Sequence, residues 1–149
     1  MDLGADIFIG AAPPPETLRA AAARAFHVPV DRVTLRGIDD GPWPDADVIL
    51  ESWGDVRLPG DYPLQLLPWA SEERLIDLPP VLSALAQALG APVLTADDER
   101  YEIMNLYLPD GSAYDVDVDQ DNDGGIRNTL EMRRLIDATP QSTRRAVAS

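Results

Sequence analysis

The sequence predicts a single α+β domain, with a mainly antiparallel sheet of about five to six strands and two to three helices. Three observations predict it. Short apolar runs and helical stripes alternate irregularly along the 149 residues, with no internal repeat. Pro109-Asp110-Gly111 lies between two alternating runs and demands a hairpin. Finally, 45% of the residues are hydrophobic but only 6% aromatic, enough at this length for one aliphatic core without crosslinks. Residues 1–138 are read as that domain, and residues 139–149 as a polar tail expected to be mobile.

Asp6-Ile7-Phe8-Ile9-Gly10 reads as a first strand. Pro13-Pro14-Pro15 leads into a helix, with proline tolerated at the first helical position and Glu16 favourable near the positive end of the dipole. Leu18, Ala22, Ala25 and Phe26 share one face of it. The helix must stop near His27, because Val28 precedes Pro29 and is pushed out of the helical region. Val33 to Ile38 and Val48 to Trp53 follow as strands. Tyr62 to Trp69 is a fourth, which Pro63 and Pro68 should shorten or confine to a sheet edge.

Pro79-Pro80 opens a second helix whose Val81, Leu82, Leu85 and Leu89 form one buried stripe, and Gly90 provides the stop. Pro92 to Thr95 begins a fifth strand. In the hairpin of Glu102 to Leu108 and Ser112 to Asp119, a bulge at Gly111 sets Leu106 opposite Tyr114 and Met104 opposite Val116. Asp115 and Asp117 then project from the other face, near Asn105 and Tyr107. A last helix is expected over Asn128 to Ala138, with Leu130, Leu135 and Ile136 inward.

The chemistry that composition excludes is broad. No cysteine means no disulfide, thiolate metal site, iron–sulfur cluster or thiol nucleophile. A single histidine, His27, excludes a multi-histidine metal site; at the end of an apolar helix it reads as a structural residue near terminal carbonyls. The net charge of −14 argues against nucleic acid. The acidic N-terminus and the lack of a long apolar run predict a cytoplasmic protein without a membrane span. No Gly-x-Ser-x-Gly elbow, phosphate loop or dinucleotide fingerprint is present, so no catalytic residue is assigned and no cofactor is required. A carboxylate-based hydrolase using Asp115 and Asp117 is the weaker alternative.

The charge is concentrated. Residues 37–61 carry −6 and residues 95–123 carry −9, whereas residues 124–149 carry +3. Such a field steers a basic partner. In the loop Asp39-Asp40-Gly41-Pro42-Trp43-Pro44-Asp45-Ala46-Asp47, an indole stands among four carboxylates on a proline-stiffened segment. That pattern suits either a binding anchor or a lid folded back over the core. Trp53 and Trp69 read as core or core-edge residues. Asp39, Asp40, Trp43, Asp45, Asp47, Asp115 and Asp117 are therefore the candidate partner-binding residues.

Asp119-Gln120-Asp121-Asn122-Asp123-Gly124-Gly125-Ile126 matches the first eight positions of an EF-hand-type calcium loop. Oxygens of Asp119, Asp121 and Asp123 would converge on the ion, Gly124 would permit the turn, and Gly125 would offer its carbonyl. Position twelve is Leu130, with Glu131 one residue late, and a strand precedes the loop where a helix belongs. The segment is similar to isolated Asp-x-Asp-x-Asp-Gly calcium loops, which gives a calcium-binding module as the second functional expectation.

The stretch Ala84 to Leu94, an acidic turn, and a strand ending in Leu108-Pro109-Asp110-Gly111 resembles small acidic bacterial immunity proteins that neutralise cognate toxins. The resemblance spans roughly residues 80–120. It implies an inhibitor whose carboxylates, from the 39–47 loop and the 115–123 strand end, occupy the basic active-site cleft of a toxin domain, with Trp43 as anchor. Nuclease and nucleotide-using toxins have such clefts.

Overall fold

The computed structural model describes residue 3 and residues 5–37, 40–52, 57–71, 76–97, 100–120 and 125–138, without the side chains of 97 and 100–102. Seven strands form one sheet: β1 (Ile7–Ile9), β2 (Val33–Gly37), β3 (Val48–Ser52), β4 (Leu64–Ala70), β5 (Val93–Asp97), β6 (Arg100–Tyr107) and β7 (Ala113–Asp117). Their spatial order is β2-β3-β4-β1-β5-β6-β7, and only β2–β3 is parallel. Two short strands, β8 (Asp119–Gln120) and β9 (Ile126–Arg127), make a separate hairpin. The helices are α1 (Pro15–Phe26), α2 (Leu78–Leu89) and α3 (Leu130–Ala138), with a 3₁₀ turn at Val30–Arg32. The α+β class and the mainly antiparallel sheet are as the sequence predicts, with more strands than expected.

Alternation along the strands buries both faces of the sheet. Ile7, Ile9, Val48, Leu50, Leu66 and Val93 point to one face and pack with α1 and α2. Phe8, Leu94, Met104, Leu106 and Val116 point to the other, where Tyr62, Ile126 and Met132 join them. Helix α1 ends at His27 in a left-handed conformation (φ 58°), and its terminal carbonyls are taken by backbone N–H groups while the imidazole is exposed. Helix α2 ends on Gly90 (φ 63°), and Ala86 rather than half-buried Leu89 completes its inner stripe. The hairpin register is Leu106↔Tyr114 and Met104↔Val116. Gly111 (φ 92°) donates to Leu108 O at 3.0 Å, and Leu108 donates to Ser112 O at 2.9 Å. That geometry is a turn closed by a glycine bulge.

Two expectations are corrected. Strand β4 is not an edge strand: it lies between β3 and β1. Pro63 falls just outside it. Pro68 is accommodated because β1 pairs only as far as Leu66; the Pro68 carbonyl, which points to that side, instead accepts from Leu3 at 3.2 Å. The proline ring therefore sits where no ladder donor is needed. Leu130 is 65% exposed, not inward. Thr129 caps α3, its hydroxyl accepting from Met132 N–H at 3.2 Å, so the helix begins at Leu130. The inward face is Met132, Leu135 and Ile136, and Leu130 stands about 200° round the helix from Met132.

Tyr62 is fully buried in the second core, and its hydroxyl donates to Asn128 Oδ1 at 2.7 Å. Burial, reinforced by Asp61, pushes its pKa well above the ordinary tyrosine value. The fold thus favours the neutral phenol: this stability is complete below the unfolded value of about 10 and is lost as pH rises above it. The melting temperature is expected to fall steeply above that pH, with Tyr62 silent in a phenolate UV titration until the protein unfolds. Tyr62→Phe should flatten the alkaline fall at a cost of about 1 kcal/mol at neutral pH for the lost hydrogen bond.

Candidate functional site

The β2–β3 connection carries most of the first acidic segment. Because β2 and β3 are parallel, it must return along the sheet, and its Trp43 meets Trp69, which lies on the face of β4 opposite the helix-packed Leu66. Arginines hold it at both ends. Arg32 reaches Asp45 at 3.3 Å and Asp47 at 3.2 Å, and these hydrogen bonds, Asp47 first, raise its pKa further. Arg36 lies 3.6 Å from Glu51, and both side chains are only 9% exposed. Its Nη2 donates to the carbonyls of Asp40 and Gly41. The Asp40 carboxylate accepts from Gly37 N–H at 2.7 Å.

These restraints set Trp43 in place. Its ring lies edge-on to Trp69 at 4.9 Å between centroids, and the Arg36 guanidinium stacks on it at 4.7 Å. Trp43 nevertheless remains 51% exposed. One part of the ring covers Trp69 and Arg36, and the other faces solvent. Beneath it, Arg36 Nη1 and Trp69 Nε1 are buried without a hydrogen-bond acceptor among the described residues. The Asp45 side chain is 97% exposed even while it meets Arg32.

The other candidates sit elsewhere. Asp115 and Asp117 are exposed on β7, the strand at the far edge of the sheet from β2. Six strand spacings separate the two edges, about 29 Å. Asp40, Trp43, Asp45 and Asp47 are thus brought together, and Asp115 and Asp117 are not brought to them. Near the far edge, Tyr107 has its pKa raised by burial and then by Asp115 and Asp77. Asp39 and Trp53 lie outside the described residues.

Of the calcium-loop residues, Asp119 is exposed on β8, paired with Arg127. Gly125 is buried, and Glu131 is exposed in the first turn of α3. Asp121 and Asp123 lie outside the described residues. Among the described residues no three metal-binding side chains cluster, and no helix is long and apolar enough to cross a membrane.

Comparison with protein-family models, curated proteins and solved structures finds no match. The site therefore rests on its own geometry. Sequence reasoning singled out Trp43 and its neighbouring aspartates; it did not single out Arg32, Arg36 or Glu51, nor the contact of Trp69 with Trp43, which the fold sets beside them. The signal for Arg36 and Glu51 was present: each is the one charged residue of its strand.

Proposed function

We propose that this chain is an acidic protein-binding module, an immunity-type inhibitor that occludes the basic active-site cleft of a partner toxin. The observation that carries the reading is Trp43. It is held against Trp69 and Arg36 yet half exposed, next to the solvent-facing carboxylate of Asp45. An aromatic anchor already fixed by its neighbours loses little entropy on docking, and surrounding carboxylates select a basic pocket. Asp115 and Asp117, on the strand at the opposite edge of the sheet from β2, then act on approach rather than within the same cleft.

The test is affinity capture at low and high salt, followed by assay of the captured protein's activity with and without this chain. Stoichiometric inhibition that weakens with salt is expected. Trp43→Ala should cost at least about 2 kcal/mol of binding, and Asp45→Arg should chiefly slow association. Inhibition that survives both substitutions unchanged would refute the loop as the inhibitory element.

A further inference from the structure

A cleft of about 410 Å³ opens on the helix-covered side of the sheet, between the start of α1 and the ends of β2 and β3. Antiparallel pairing through β4 makes β1 parallel to β3 and β2. The carboxyl ends of all three strands therefore meet at this end of the sheet. The volume lies in the range of small-molecule sites.

Five leucines line it: Leu18, Leu35, Leu50, Leu64 and Leu66. Leu50 and Leu66 are almost completely buried, while Leu35 and Leu64 remain half-buried. The charged residues of the lining are not equivalent. Arg36 is engaged by Glu51 and by loop carbonyls. The Asp40 carboxylate is engaged by Gly37 N–H. Arg57 is exposed and makes no hydrogen bond or ion pair among the described residues. Ser52 adds a hydroxyl to the same lining.

We infer that this cleft binds a medium-chain monocarboxylate, with the apolar body on the leucines and the carboxylate on Arg57. A phosphate fits less well. Pro15 has no N–H to offer at the first turn of α1, and Glu16 sets a negative charge there, so the helix start is a poor anion cradle. One arginine left without a partner among the described residues, beside an apolar floor, matches one carboxylate on an apolar chain. This assignment does not depend on the inhibitor reading.

The experiment is calorimetric titration with octanoate, 1-octanol and octylamine, with circular dichroism melts to show that each variant is folded. Octanoate should bind about tenfold tighter than 1-octanol, and octylamine no tighter than 1-octanol. Arg57→Gln should reduce octanoate to the level of 1-octanol and leave 1-octanol unchanged. Leu64→Trp, filling the cleft, should remove binding of both. The assignment is overturned if none of the three binds, if octanoate has no advantage over 1-octanol, if octylamine is preferred, or if the octanoate advantage survives Arg57→Gln.

Discussion

Glu51→Ala should lower the melting temperature by about 10 °C, among the largest effects expected for a single side chain here. The reason lies in what the substitution leaves behind. Glu51 and Arg36 are both only 9% exposed, and their closest approach is 3.6 Å. Removing the carboxylate strands a guanidinium whose Nη1 already has no acceptor among the described residues. Breaking a buried pair from one side costs about 3–5 kcal/mol, whereas replacing both partners by apolar residues is often close to neutral. The double variant Arg36→Met, Glu51→Leu should therefore regain most of the lost stability. It should not regain the loop, because Arg36 also holds the Asp40 and Gly41 carbonyls and stacks on Trp43. Tryptophan fluorescence shows whether the indole has been released. Full stability with a released Trp43 would separate the fold from the proposed docking surface. A single variant as stable as the parent would show that the pair does not act as a buried unit.

Much of this arrangement was legible from local chemistry, and the reason is visible in each case. The register of β6 and β7 follows from three turn residues, since Gly111 fixes which positions face each other. The ends of α1 and α2 follow from prolines and from Gly90. What was not legible depends on partners far apart in sequence. Pro68 signals an edge strand only if β1 is assumed to extend alongside it, and β1 stops short. Arg36 and Glu51 meet because β2 and β3 pair in parallel register, which neither strand announces alone. The two acidic segments appear alike in composition, yet strand order sends them to opposite edges of the sheet. In the calcium-like loop, Asp121 and Asp123 lie outside the described residues, so the motif stands as it did in the sequence.

Gly60→Ala is the second large effect expected, and nothing in the sequence near Gly60 foretells it. The chain at 59–61 runs against the chain at 125–128, sixty-odd residues away. Gly60 forms a parallel bridge with Ile126, Asp61 N–H donates to Ile126 O at 2.8 Å, and Asn128 N–H donates to Asp61 Oδ2 at 2.8 Å. This seam seats Ile126 and Met132 in the second core. Gly60 has φ 92°, and a Cβ there would lie 2.5 Å from the Ile126 carbonyl oxygen. Neither the conformation nor the contact tolerates a side chain, because the obstructing atom is backbone. The loss should be about 3 kcal/mol, near 9 °C in melting temperature. It should fall unevenly: hydrogen exchange should accelerate first in α3 and β9, while α1, α2 and β1 stay protected. Gly125→Ala approaches the same seam from the other side, its Cβ meeting Pro59 O at 2.6 Å, and should give the same pattern. Uniform acceleration across the sheet in either variant would mean that the seam is not a separable unit and that both cores unfold as one.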